Sequence, residues 1–134
     1  AYQDSFFTDT ATHVATARAG NVIGGGDWAA DRLVPDFLAA SDLGKTLSVR
    51  HPSATRPWQH VLEPLAGYLV LAQYLHAQGR SFARAWNFGP SEDSVVSVGQ
   101  VLEQLAKAIP GSAWRHVPDE QQMHEAGLLS LDSS

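Results

Sequence analysis

The run Gly24-Gly25-Gly26, inside the segment GNVIGGGDWAAD at residues 20–31, constrains this chain more than any other stretch. Three successive residues without a Cβ tolerate positive φ and let the backbone approach a ligand closely. The chain is therefore expected to turn here. Upstream, residues 13–19 (HVATARA) carry the β-formers Val14 and Thr16 and read as a strand entering the loop. Downstream, Leu33, Phe37 and Leu38 recur at helical spacing, which predicts a helix over residues 32–43. Asp31 is placed to cap that helix, and Pro35 falls in its first turn, where a proline costs little.

The remaining segments continue the alternation. Residues 46–50 (TLSVR) read as a strand, followed by the turn-forming His51, Pro52 and Ser53, and residues 58–61 as a short extended piece. Pro64 opens the strongest helical stretch, which ends near Gly79 and is apolar nearly all round, so burial between layers is expected. Residues 85–88 read as a strand entering the turn Gly89-Pro90. Ser97 and Gln100 form a capping-box pattern at the start of a helix reaching about Ile109, with Val101, Leu102 and Leu105 on one face. Residues 114–117 and 128–131 read as two further strands. Strands alternating with helices indicate an α/β fold, with no internal repeat. The segment GNVIGGGDW is not the dinucleotide-binding fingerprint, because its spacing is wrong and no acidic residue follows at the required distance.

Composition narrows the function. With 134 residues the chain is long enough for one domain with a hydrophobic core, and 44% apolar against 17% charged residues is a globular balance. A net charge of -5 argues against nucleic-acid binding, which favours concentrated positive charge. The absence of cysteine excludes disulfides and thiolate metal sites and fits a reducing compartment such as the cytoplasm. The longest apolar run, residues 65–75, is too short to span a bilayer and contains Gln73, so no membrane role is expected. Six dispersed histidines, none paired at i and i+4, make a metal site improbable. His60 reads as a hydrogen-bonded structural residue. No serine sits in a nucleophile elbow, and no Tyr-x-x-x-Lys pair is present, so no catalytic residue is assigned.

Three segments carry candidate chemistry. In RAGNVIGGGDW, residues 18–28, Asn21 beside backbone amides can donate to phosphate or sugar oxygens, or can simply cap its own turn. In RHPSATRPWQHV, residues 50–61, Arg50 and Arg56 flank a turn and could grip a diphosphate, or could be two solvated arginines. In WNFGP, residues 86–90, Asn87 precedes a turn while Trp86 and Phe88 read as core.

In this order the three segments resemble the C-terminal half of extended short-chain dehydrogenase/reductases that act on sugar nucleotides, whose pattern runs R-x-x-N-x-x-G, then R-[DP]-[WY]-x-x-V, then N-x-G. Here these are Arg18 to Gly24, Arg56 to Val61, and Asn87-Phe88-Gly89. The longer stretches RAGNVIGGGDWAADRLVPD and RPWQHVLEPLAGYL, and the closing HEAGLLSLD, resemble the CDP-glucose 4,6-dehydratase subfamily. Gly127 and Leu128 depart from a more usual His-Tyr pair.

The resemblance implies the C-terminal portion of a Rossmann-type fold, truncated at both ends and lacking its dinucleotide-binding half. Residues 1–31 would close the Rossmann-type core, and residues 32–134 would form the sugar-nucleotide-binding substrate domain with returning core elements. Asn21 would bind the diphosphate or sugar, Arg56 would neutralise the diphosphate, and Arg50 would cover the base. Arg32 and Leu33 would lie near the nucleotide, Asn87 would close the phosphate site, and the backbone at Ala19 and Gly20 would approach the nicotinamide of NAD. The implied parent is a cytoplasmic homo-oligomer in deoxysugar biosynthesis that converts CDP-glucose to its 4-keto-6-deoxy product, with its acid/base residues upstream. Another 4,6-dehydratase or a 4-epimerase, and a non-catalytic sugar-nucleotide-binding protein, are the alternatives.

Overall fold

Short runs of β-formers separated by helices fold here into parallel strand pairs flanked by helices. The computed structural model describes residues 2–91 and 95–118. In chain order the elements are α1 (Tyr2–Phe6), β1 (Thr16–Ala19), β2 (Asn21–Ile23), α2 (Leu33–Asp42), β3 (Thr46–Val49), β4 (Thr55–Arg56) and β5 (Trp58–His60). Then come α3 (Leu62–Gln78), a 3-10 turn (Gly79–Phe82), β6 (Ala85–Phe88), β7 (Val96–Ser97), α4 (Val98–Ala108) and β8 (Ala113–His116). β1 pairs with β6, β2 with β5 and β3 with β8, all in parallel, while β4 and β7 pair antiparallel.

The packed part of the molecule lies in the layer α2–β3–β8–α4. Phe37 of α2 is 1% exposed and Leu102 of α4 is 0% exposed, and together with buried Val49 they form its centre. Leu33, Leu47, Val98, Leu105, Ile109 and Trp114 pack around them. Fully burying a Leu or Phe side chain contributes about 1.5–3 kcal/mol, so this cluster is the main hydrophobic anchor. Ser97 caps α4 as its sequence predicts: the Gln100 amide N–H donates to Ser97 Oγ at 3.2 Å, and the Ser97 amide N–H donates to Gln100 Oε1 at 2.8 Å.

The other part is built from β1, β6, β2, β5 and α3. At Gly20 the chain changes partner, leaving β6 and joining β5: Gly20 N–H donates to the Phe88 carbonyl at 3.3 Å and Asn21 N–H to the Pro57 carbonyl at 3.1 Å. Buried Gln59 donates through Nε2 to the same Phe88 carbonyl at 2.9 Å, tying the two strand pairs together. α3 crosses close to β6, and a Cβ on Gly67 would overlap the Phe88 ring, so this crossing requires glycine.

Several expectations are corrected. The first strand begins at Thr16 rather than residue 13, and Asn21 opens a second strand, β2, instead of leaving the first one into the loop. Asp31 does not cap α2: it takes a left-handed φ of 62°, and Arg32 occupies the cap position with no side-chain cap bond. α3 starts at Leu62, two residues before Pro64, which still lies within the first turn, where amides have no intrahelical partner. His60 Nδ1 accepts from the Leu62 amide at 3.3 Å, so this histidine is hydrogen-bonded and supports the start of α3 from an exposed position.

The expected burial of α3 is overturned. Among its residues only Pro64 and Leu71 are buried, while Leu62, Leu65, Leu69 and Val70 are exposed, because the described residues pack against one side of the helix only. Trp86 and Phe88 are half-buried rather than fully core. Trp86 stacks on Phe82, the Arg84 guanidinium lies 4.1 Å from the Trp86 ring centroid, and Phe88 meets Tyr68 edge-on. The strand expected over residues 128–131 lies outside the described residues, as does HEAGLLSLD.

Candidate functional site

A cavity of about 590 Å³ opens where β2, the glycine-rich loop and the start of α2 converge. Its wall is formed by residues 20–28 and 31–35, with Leu38 and Trp58. That volume falls within the range of small-molecule sites. Asn21 and Trp58 face each other across the β2–β5 ladder as register partners, and both line the cavity. The Trp58 indole N–H donates to the Val96 carbonyl at 3.2 Å, which fixes the ring from behind.

Sequence dictates the shape of the loop. Gly24 must lack a side chain, since a Cβ there would come within 2.7 Å of Val61 Cγ1, and Gly26 takes a φ of 77° that other residues rarely adopt. Asp27 organises the turn leading into α2. Its Oδ1 accepts from the Ala29 amide at 3.1 Å, and its Oδ2 pairs with Arg32 NH1 at 3.1 Å. Arg32 thus stands at the mouth of the cavity beside the N-terminus of α2. A guanidinium and the positive end of a helix dipole both favour an anion there.

Four of the residues singled out from sequence, Gly20, Asn21, Arg32 and Leu33, line this cavity together. Ala19, Arg50, Arg56 and Asn87 are not on its wall. Ala19 ends β1 opposite Phe88, one residue before the partner change at Gly20. Asn87 lies in β6 opposite Arg18, and is half-buried. Arg56 is half-buried in β4, donates through NH1 to the Thr55 carbonyl at 2.8 Å and pairs in register with Val96. Arg50 follows the C-terminal end of β3 and is exposed; its carbonyl lies 3.1 Å from His116 Nε2. Asp27, Trp28 and Trp58 are cavity residues that sequence reasoning left without a role. An acidic and an aromatic residue directly after three glycines was the available signal. Among the described residues no cluster of three His, Asp or Glu side chains comes together as a metal site. Nor is any helix among them long and apolar enough to cross a membrane.

No family model matches the chain. It is 42% identical over 139 aligned positions to a CDP-glucose 4,6-dehydratase of Salmonella typhimurium, an alignment that takes in 100% of this chain and 39% of that relative. Among solved structures, a UDP-glucose 4-epimerase from Stenotrophomonas maltophila, with bound NAD and formylated UDP-arabinopyranose, superposes with a TM-score of 0.73. It is 20% identical, and the match covers 98% of this chain and 43% of the epimerase. A dTDP-glucose 4,6-dehydratase from Streptomyces venezuelae with NAD bound gives a TM-score of 0.68 at 19% identity, over 98% of this chain and 38% of the enzyme. The chain therefore spans about two fifths of the length of the relatives it matches. The α/β fold is that of part of the sugar-nucleotide dehydratases and epimerases, and the likeness to a CDP-glucose 4,6-dehydratase extends over the whole chain.

Proposed function

We propose that this chain is the sugar-nucleotide-binding part of an NAD-dependent 4,6-dehydratase acting on CDP-glucose. The observation that carries the reading is the cavity itself. It brings Asn21, Arg32 and Leu33 together around a glycine-rich loop, in a chain 42% identical throughout to a CDP-glucose 4,6-dehydratase. Arg32 and Asn21 supply cationic and amide donors for a diphosphate or its sugar, and Leu33 and Trp58 supply apolar surface. Arg56, one strand away, adds charge toward the diphosphate. Arg50 covers the base, and Asn87 closes the phosphate side through β6. The division of the chain into a core segment, residues 1–31, and a substrate segment, residues 32–134, belongs to the same proposal.

The fit to NAD is partial, and it is confined to one edge. Gly20 reaches the cavity with its amide committed to Phe88, and Ala19 adjoins it, so this backbone can flank a nicotinamide ring. Among the described residues the strand–turn–helix β2–loop–α2 lacks the acidic residue that a dinucleotide site carries about 20 positions on, since β3 runs into Arg50, and α2 starts seven residues after Gly26 rather than at the glycines. When bound, NAD supplies reversible hydride acceptance for oxidation of the sugar at C4 and reduction at C6. This chain's residues bind and orient the sugar nucleotide beside it, and the acid/base groups lie elsewhere in the parent, which is a cytoplasmic homo-oligomer in this reading.

A second reading, another 4,6-dehydratase or a 4-epimerase, is favoured by one observation: the fold superposes as well on a UDP-glucose 4-epimerase as on a dTDP-glucose 4,6-dehydratase. Titration calorimetry of the full-length protein with CDP-, UDP- and dTDP-glucose, together with an assay for the 4-keto-6-deoxy product, separates them. Preference for cytidine with product formation supports the first. Equal or reversed preference, or epimer formation, replaces it with the second. Binding with no turnover in the full-length protein leaves a sugar-nucleotide-binding protein without catalysis.

A further inference from the structure

We propose that Trp28 is a ligand-covering residue: when Arg32 exchanges Asp27 for a phosphate of the bound nucleotide, the indole closes over an uncharged ring of that ligand. The inference rests on the sugar-nucleotide reading of the cavity. Trp28 lines the cavity and is nevertheless 83% exposed. Single exposed apolar side chains are ordinary on protein surfaces. This one differs in where it stands and in what holds it there.

One residue before it, ahead of Asp27, lie Gly25 and Gly26, where an added Cβ would meet nothing within 4 Å, so no packed neighbour holds this pair and its backbone has the wide φ/ψ range of glycine. Directly around it, a single carboxylate provides both restraints. Asp27 Oδ1 accepts from Ala29 N–H at 3.1 Å, closing the turn in which Trp28 sits, and Asp27 Oδ2 ties that turn to Arg32 at 3.1 Å. The Asp27–Arg32 pair is open to water, with side chains 30% and 60% exposed. Exposed pairs of this kind contribute little and are easily exchanged. A phosphate offers the guanidinium a doubly bonded, more strongly charged acceptor. Once Arg32 turns to it, Asp27 retains only its bond to Ala29, and the turn carrying Trp28 pivots on the two glycines. The indole then gains burial against either the pyrimidine or the hexose of the ligand.

The test uses the full-length protein. Acrylamide quenching of wild type and Trp28→Phe, compared by difference, isolates the accessibility of Trp28 from that of the other indoles. Saturating CDP-glucose should lower the Trp28 contribution severalfold, whereas inorganic pyrophosphate, which has no ring, should leave it unchanged. Protection by CDP assigns the base as the covered ring, and protection by glucose 1-phosphate assigns the hexose; either supports the proposal. In calorimetry Trp28→Ala should weaken CDP-glucose binding roughly tenfold or more, the scale set by burial of one large side chain, and leave pyrophosphate binding unchanged. Trp28→Phe should retain most of the affinity. Because the indole is exposed, the thermal midpoint of these variants should match wild type. CDP-glucose binding with Trp28 still accessible and with equal affinity in Trp28→Ala overturns this inference alone. Failure of every sugar nucleotide to bind wild type overturns the reading of the site and this inference with it.

Discussion

Helices α3 and α4 arrange their apolar residues in opposite ways. In α4 the apolar residues sit on one face, and that face is covered: Leu102 is 0% exposed against α2 and β3. In α3 the apolar residues run round the helix, and Leu69 is 73% exposed. The strands differ less: β3 buries Val49 and β8 packs Trp114 against that cluster, yet among the described residues both β3–β8 and β1–β6 are two-stranded, and β8 exposes Ala113, Arg115 and His116 as β1 exposes Thr16, Ala17 and Arg18. Parallel strands occur almost only in sheets with both faces covered. Helix α4 thus satisfies its own pattern, while α3 and the open parallel strand pairs carry a pattern written for additional layers. That difference supports the proposal that a nucleotide-binding half completes the fold.

The sharpest way to break this comparison is catalytic. Residues 1–134, expressed alone with NAD and CDP-glucose added, should give no detectable 4-keto-6-deoxy product, because a bound hydride acceptor and a tuned base are both lacking. Turnover near that of the full-length protein would overturn the placement of the acid/base residues elsewhere.

Next in size is a pair of truncations read by urea unfolding. Leu102→Ala should cost about 2–5 kcal/mol in any context, the range for emptying a packed core position. Leu69→Ala should cost close to nothing in residues 1–134, yet approach the same range in the full-length protein once its face is covered. Equal and small losses at Leu69 in both would remove the argument for further layers.

Arg56 belongs to the seam between the regions, where β4 meets β7. Arg56→Ala in the full-length protein should weaken CDP-glucose binding by about 1.5–3 kcal/mol, the scale of a charge-assisted hydrogen bond, and Arg56→Lys should restore only part of it. Unchanged affinity by calorimetry leaves Arg56 with a structural role in β4 only. The smallest expected effect is at Asp27. Asp27→Asn removes the charge opposing Arg32 while keeping an oxygen for the Ala29 amide. Pyrophosphate should therefore bind tighter by up to about 1 kcal/mol, the scale of an exposed ion pair. Weaker binding would show that Asp27 positions Arg32 rather than restraining it.

Much of the fold is legible from residues alone where the signal is local. The Ser97–Gln100 capping box arises from side chains acting on their own backbone, and α2 from Leu33 and β6 over Ala85–Phe88 are marked by their own residue spacing and β-formers. The gathering of Gly20, Asn21, Arg32 and Leu33 is legible for the same reason, since all lie within one loop and the helix it feeds. The hidden features depend on partners distant in sequence. The two-residue strands β4 and β7 exist only because they meet, and no periodicity marks so short a run. Burial of α3 is misjudged because an all-round apolar pattern states that neighbours are wanted, not that they are supplied by the same residues. Asp31 fails as a cap because its left-handed backbone places the helix start one residue later.

The hydrogen bond from the Trp58 indole to the Val96 carbonyl makes one side chain a tie-rod between the cavity wall and the foot of α4. Val96 directly precedes the capping residue Ser97, and the next amides, of Val98 and Gly99, donate to Ala54 and Pro52 at 2.9 and 2.8 Å. Anything that shifts Trp58 from the cavity side therefore pulls on the anchorage of α4. Should the proposed ligand shift Trp58, amide exchange at Val98 and Gly99 is expected to change on its binding.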